Sequence, residues 1–304
     1  MNYAKPFVKW AGGKGSLISQ ITEYYPFELK DGRIEKYIEP FVGGGAILIH
    51  ILQNYEVDSA IAFDINADLI NCYKSIKDTE CLDNLISNLK EKCEKYKSLK
   101  QDDRKQYFYK IREKYNSYSL KEDEINPERA SEFIFLNKTC FNGLYRVNSK
   151  NEFNVPFNNA KNPSIYEEEN LKELSRLFRE HNVEFYVGDY KKANTFVDKN
   201  TFVYFDPPYR PLSTTSAFTS YTKDSFNDEN QKELAEFYKE ISQKDARLML
   251  SNSNPKNTNK EDDFFDELYK GFNINTIMAN RNINSKADGR KAISELLITN
   301  YKVD

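Results

Sequence analysis

The sequence predicts an α/β fold with a largely parallel sheet, interrupted by one long helical insertion. Three observations lead there. First, short apolar runs end repeatedly in an acid or a glycine turn: Tyr37-Ile38-Glu39 ahead of Gly43-Gly44-Gly45, Ser59 to Asp64, Val183 to Asp189, and Thr201 to Asp206. Such runs, bounded by turn residues, read as buried strands. Second, from about 67 to 135 the pattern is helical and densely charged, the texture of solvated helix faces. Third, strand and helix alternate again beyond 226. The economical division is one α/β unit made of 1–76 and 182–304, carrying 77–181 as an insert.

Composition narrows the function classes. The chain has 304 residues, 30% of them charged and 14% aromatic, too aromatic for a disordered polymer. A formal net charge of −3 announces no global affinity for polyanions, although a local basic face is compatible with it. The four cysteines show no Cys-x-x-Cys pair and there are two histidines, which excludes the usual zinc spacings and a disulfide framework. No metal is expected, and histidine is removed as an obvious general base. With no apolar leader and no run of about 18 apolar residues, a soluble cytoplasmic protein without membrane contact is the default expectation.

Residues 5–16 form a basic, glycine-rich opening before a helix-like run from Leu17 to Tyr25. Paired glycines let backbone N–H groups approach a ligand, and a helix N-terminus favours anionic groups. The triphosphate-loop spacing Gly-x-x-x-x-Gly-Lys-Ser/Thr is absent. Trp10, the only tryptophan, reads either as a core residue or as a flat ring beside a cationic or aromatic ligand. The strand at 37–39, the glycine turn and the strand ending at Asp64 make a βαβ pattern. Its acid, about 20 residues after the glycines, is of the kind that bonds ribose hydroxyls. Leu48 stands where a dinucleotide fingerprint wants its third glycine, so the pattern suits a nucleoside-bearing cofactor without a pyrophosphate.

Between 137 and 157, Asn-Gly and Ser-Lys-Asn turns separate short β-prone runs and predict a hairpin. It reads either as an ordinary polar hairpin or as a reader whose Arg, Asn and aromatic groups touch base edges and wedge between base pairs. The run 201–209 then ends in Asp206-Pro207-Pro208-Tyr209. Two prolines cannot continue a central strand, so the chain leaves the sheet with a carboxylate before the turn and a ring after it. An acid there lies where open α/β sheets bind ligands; a capped strand end is the plainer alternative. A Ser/Thr-rich loop from Arg210 to Phe226 follows. Next come a helix near 228–243, a strand at 247–251, a helix near 262–270, and strands at 272–278 and 293–301. The basic loop from Arg281 to Lys291 is suited to phosphates.

Taken together, these segments resemble the Dam-type DNA adenine-N6 methyltransferases. The resemblance is carried by Phe-Val-Lys-Trp-Ala-Gly-Gly-Lys at 7–14, Glu-Pro-Phe-Val-Gly-Gly-Gly at 39–45 and Asp-Ile-Asn at 64–66. It continues with Phe-Asn-Gly-Leu-Tyr-Arg-Val-Asn at 141–148, Glu-Phe-Asn-Val-Pro-Phe at 152–157, Asp-Pro-Pro-Tyr at 206–209 and Phe-Thr-Ser-Tyr at 218–221. Asp-Pro-Pro-Tyr alone occurs in other amino-methyltransferases; the ordered set is specific.

The resemblance implies a Rossmann-like, seven-stranded methyltransferase sheet with a helical and hairpin target-recognition insert. It also implies S-adenosylmethionine as methyl donor and double-stranded DNA as partner, with direct in-line transfer to a flipped adenine at GATC. Carried over, Trp10, Lys14, Phe41, Gly43, Gly45, Asp64, Asp189 and Asp206 would bind the cofactor. Asp206, Pro207 and Tyr209 would be catalytic. Lys9, Phe141, Asn142, Leu144, Arg146, Asn148 and Pro156 would contact DNA. A separately encoded restriction endonuclease is compatible with this reading, and so is no such partner. RNA-adenine or protein-amide methylation with the same Asp-Pro-Pro-Tyr chemistry, and an inactive DNA-binding regulator, are the alternatives.

Overall fold

Seven strands form one sheet in the order β3-β2-β1-β4-β5-β7-β6, in a computed structural model that describes residues 3–160, 162–210, 226–279 and 293–303. The strands are β1 (Lys36–Glu39), β2 (Ser59–Asp64), β3 (Glu184–Val187), β4 (Thr201–Phe205), β5 (Arg247–Ser253), β6 (Asn273–Ala279) and β7 (Ile293–Thr299). β1 to β5 pair in parallel, and β7 lies antiparallel between β5 and β6. From β1 the chain moves outward to β2 and β3, then returns to lay β4 on the other side of β1 and continues outward. The order reverses between β1 and β4, and at such a switch point an α/β sheet opens a ligand crevice at the carboxyl ends of its strands. Glu39 and Asp206 stand at those two ends.

All five residues of β4 are buried. Phe202 and Tyr204 face one core with Tyr37, Ala60, Ala62 and Phe185. Val203 and Phe205 face the other with Ile38, Ile61, Phe63 and Leu250. The helix-like run expected from Leu17 to Tyr25 is α1 (Ile18–Ile21) passing directly into a 3-10 turn at Thr22–Tyr24, and a second short helix, α2 (Phe27–Lys30), follows. α3 (Ala46–Asn54) crosses from β1 to β2, and α4 (Ala67–Lys77) leaves β2 capped by Asn66.

α5 (Thr79–Ser98), α6 (Gln101–Asn116) and α7 (Pro127–Thr139) come next, followed by the hairpin. α7 is buried on nearly every side. It absorbs Asn137, Lys138 and Thr139, which sequence texture assigns to the hairpin. The hairpin itself is a narrow ribbon tied by single bridges, Val147 to Phe153 and Cys140 to Phe157, and turned by Asn148 to Asn151. α8 (Glu168–Glu180) buries Leu171, Leu174, Leu177 and Phe178 at helical spacing and leads into β3. On the far face lie α9 (Asp228–Ser242), closed by an Asn227–Asn230 capping box, and the short α10 (Phe264–Leu268). The expected strands and helices after 226 are all present, with boundaries shifted by a few residues. Most of the 210–226 loop, including 218–221, and the whole of the 281–291 loop lie outside the described residues.

A buried ion pair fastens α7 to α4. Arg129 of α7 donates to both oxygens of Asp68 on α4, at 2.5 and 3.1 Å. It also donates to the Tyr115 and Tyr118 carbonyls and lies over both tyrosine rings. Arg129→Ala strands Asp68 without its partner, and should lower unfolding free energy in urea titrations by about 3–5 kcal/mol. The Asp68→Ala/Arg129→Ala double variant should lose less than the sum of the single changes.

Candidate active site

Asp206 follows β4 at a point where the opening loop, β5 and the Asp-Pro-Pro-Tyr turn meet. Lys14, almost fully buried, places its ammonium 2.8 Å from Asp206 Oδ1. The same ammonium donates to the Gly12 carbonyl and lies 4.5 Å from the centre of the Tyr209 ring. Ser251 of β5 donates to Asp206 Oδ1 at 3.2 Å and shares a 2.8 Å hydrogen bond with Tyr204. Burial pushes the Asp206 carboxyl above its ordinary value; Lys14 and Ser251 act against that rise. Glu39, at the neighbouring strand end, is buried, accepts from the Tyr37 hydroxyl at 2.8 Å and is pushed well upward, first by burial and further by Asp206.

The chain after Asp206 has no ladder to satisfy its backbone, and side chains of α9 and β5 take that place. Gln231 donates to the Pro208 carbonyl at 3.0 Å, Asn252 accepts from the Arg210 N–H, and Ser253 donates to the Arg210 carbonyl. Asn252 also donates to Gln231, so both buried amides serve one turn. Tyr209 donates to Glu295 at 2.6 Å. Arg210 forks onto Asp228, reaches Asp262 and covers the Phe264 ring. Ser251, Gln231 and Asn252 carry no sequence signal of their own, since each acts through a partner far along the chain.

The glycine turn sits beside this meeting point. Asp64 accepts from the N–H groups of Gly43, at 3.1 Å, and Asn66, at 2.9 Å; burial raises its carboxyl to about 6. Gly45 has φ +70°, and a Cβ there would stand 2.5 Å from the Tyr73 hydroxyl. Glycine is therefore required at this position by both conformation and space. Trp10 packs edge-on against Gly43 and Gly44, where added Cβ atoms would come within 2.8 and 3.0 Å of it. Phe41 stacks on Tyr190, which follows the exposed Asp189 that caps its own short turn through Lys191. Ile65 and Val187, exposed apolar side chains next to this group of acids, escaped sequence reasoning although Ile65 lies within a quoted motif. Trp10 and Asp64 thus meet at the Gly43 turn, Lys14 and Asp206 meet at the end of β4, and Phe41 lies against Tyr190. This mixture of acids, backbone donors and flat apolar faces fits a cationic nucleoside. Among the described residues no group of three or more His, Cys, Asp or Glu is placed to hold a metal ion.

The hairpin lies next to the opening loop. Lys9 exchanges backbone hydrogen bonds with the Asn137 amide, which also holds the Gly143 carbonyl. A Cβ on Gly143 would meet the Lys9 side chain at 2.5 Å. Phe141 is half exposed, an unusual position for a phenylalanine. Asn142 has φ +56°, and Asn142, Arg146 and Pro156 are exposed while Leu144 is part-buried. Arg146 is braced by Asn154, whose side chain accepts from Nε at 2.7 Å. Asn148 is committed differently: its amide bonds Glu152, and its oxygen accepts from the Lys150 and Glu152 N–H groups. Its side chain builds the turn. Tyr145, passed over in the sequence, is the hairpin residue that faces Trp10.

Residues 10–283 match the family described as D12 class N6 adenine-specific DNA methyltransferase. The chain is 52% identical to the Type II methyltransferase M.MjaIII of Methanocaldococcus jannaschii, over 98% of this chain and 99% of that protein. It is 38% identical to the Type II methyltransferase M1.LlaDCHI of Lactococcus lactis subsp. cremoris, over 98% and 95%. With the DNA adenine methylase of Haemophilus influenzae it shares 32% identity over 96% and 92%. With a seven-stranded sheet, a glycine turn at its switch point and Asp-Pro-Pro-Tyr across from it, the chain belongs to the D12 class of N6 adenine-specific DNA methyltransferases.

Proposed function

We propose that the chain methylates N6 of an adenine flipped out of duplex DNA, within GATC, using 1–76 and 182–304 as the catalytic unit and 77–181 to recognise the target. The observation that carries this reading is Asp206 at the switch point, fixed through Oδ1 by Lys14 and Ser251. S-adenosylmethionine supplies an electrophilic methyl group on a sulfonium. Trp10, Lys14, Phe41, Gly43, Gly45, Asp64 and Asp189 hold it, with Asp64 toward the ribose and Asp189 toward the adenine, where Ile65 and Val187 offer flat apolar contact. The adenine amine is a poor nucleophile because its lone pair is delocalised into the ring. Asp206 Oδ2 and the Pro207 carbonyl accept its two hydrogens, drawing the nitrogen toward a tetrahedral geometry that frees the lone pair. Tyr209 stacks on the extruded base, worth about 1–3 kcal/mol, against an extrusion cost of a few kcal/mol.

Recognition falls to the hairpin. Arg146 reads a guanine, Lys9 the first guanine, Leu144 and Pro156 contact a thymine, and Phe141 wedges into the stack. Asn142 lies beside the wedge. Asn148 acts by shaping the turn as well as by any contact of its own. GATC is supported by the similarity of the hairpin motifs, and adenine-N6 chemistry on DNA by the family. The names of the relatives from Methanocaldococcus jannaschii and Lactococcus lactis favour a role in protecting DNA alongside a separately encoded nuclease. No helix among the described residues is long and apolar enough to cross a membrane.

Methyl transfer from labelled cofactor to a GATC duplex, with a scrambled duplex as control, tests the central claim. Incorporation into adenine of the first alone is expected, and equal labelling of both would remove the specificity. Asp206→Ala should abolish turnover, and a near-wild-type rate would sink the mechanism.

The acceptor role requires the ionised acid, whose pKa is raised in the fold, so the rate should fall on acidification at a pH above the ordinary carboxylate value of 3.8. Lys14→Gln removes a cation that favours ionisation and should move this acid limb upward. A pH–rate profile of both proteins checks the sign.

Arg146→Ala should cost about 1–3 kcal/mol of discrimination at one base pair. A uniform loss across all duplexes would instead mark a phosphate contact.

A further inference from the structure

Tyr145 joins the cofactor crevice to the recognition hairpin. Its ring stacks on Trp10 with centroids 6.0 Å apart and planes 24° from parallel. Phe133 of α7 and Phe153 of the opposite hairpin strand hold it from other sides, at 5.5 and 5.9 Å. Below the glycine turn, Asp64 accepts from the Gly43 and Asn66 backbone N–H groups. On its other edge Trp10 abuts Gly43 and Gly44 with no room for a methyl group between them. One packed path therefore runs from the glycine turn through Trp10 to Tyr145, and the next residue along the chain is Arg146. Close-packed groups transmit small displacements because no void absorbs them. The Lys9–Asn137–Gly143 clasp ties the same opening loop to the base of the hairpin.

We infer that Tyr145 is a positioning residue that couples cofactor binding to DNA recognition, so that each ligand strengthens the other through the Trp10–Tyr145 stack. The inference rests on the proposed reading of the crevice as the cofactor site and of the hairpin as the DNA reader. A ligand against the glycine turn sets the Trp10 ring, the ring sets Tyr145, and Tyr145 sets the backbone that carries Arg146. Reciprocity follows: the DNA that fixes Arg146 must favour the same Trp10 position. The ring carries the coupling, and the hydroxyl is secondary.

The test is equilibrium titration of the full chain with S-adenosylhomocysteine, alone and with a saturating duplex already identified as a methylation substrate. In the unmutated protein and in Tyr145→Phe the duplex should tighten cofactor-product binding by at least about fivefold. In Tyr145→Leu, which keeps apolar bulk without the stack, the factor should drop below about twofold while each ligand alone binds within about threefold of normal. Coupling that persists in Tyr145→Leu, or is missing from the unmutated protein, overturns the inference. Failure to bind S-adenosylhomocysteine at all overturns the functional reading on which it rests. A second measurement needs no variant. Trp10 is the only tryptophan, so a substrate duplex without cofactor should shift its emission relative to a scrambled duplex of equal length. Identical spectra would overturn the inference even if Tyr145→Leu failed to fold.

Discussion

The contact between Lys14 and Asp206 is the constraint on which the site depends. A lysine with 4% of its side chain exposed is tolerated only when its charge is answered. Here it is answered by one carboxylate, the Gly12 carbonyl and the face of Tyr209. This binds the opening loop to the end of a strand nearly 200 residues later in the chain. Once Lys14 is fixed, Trp10 is drawn over the glycine turn and Lys9 is held against the hairpin. Removing either partner would leave the other charged and buried, the costly half of a buried pair.

The parts that the sequence makes legible are those governed by local rules. Buried strands end where an acid, a proline pair or a glycine turn stops them. Glycine is demanded at 45 by a left-handed backbone against Tyr73, a requirement that survives as a motif. The charged helices at 79–98 and 101–116 show the expected faces, Leu82, Leu85 and Leu89 inward on the first of them. What stays hidden has long-range causes. α7 carries Arg129 and Glu132 in positions that look exposed, yet Asp68 and Lys114 pair with them inside the fold. The hydrophobic period is therefore masked, and the helix runs three residues into what reads as a polar hairpin. Ser251, Gln231 and Asn252 are equally silent, because their partners in 206–210 become neighbours only when β5 and α9 flank β4.

Asn148 marks the difference between a residue type suited to base reading and one already engaged. Its amide and oxygen make three hydrogen bonds inside the turn. Using it for a base edge would take those bonds away, at about 0.5–1.5 kcal/mol each. Arg146 is better disposed, since Asn154 fixes Nε and so narrows the rotamers of a long side chain before any ligand arrives. Preorganisation of that kind lowers the ordering cost of binding.

The absence of a histidine base is consistent with the electrostatics of the crevice. Burial raises both Glu39 and Asp206, and the nearby Asp206 raises Glu39 further. Lys14 offsets part of that strain in the free protein. On the proposed reading, a sulfonium donor would bring a second positive charge near Asp206 and would favour its ionised form, as Lys14 does. On the same reading the two carboxyl groups at the β1–β4 switch point differ in use: Glu39, buried behind Tyr37 and pushed toward its neutral form, is structural, while Asp206, one-fifth exposed, would meet the amine.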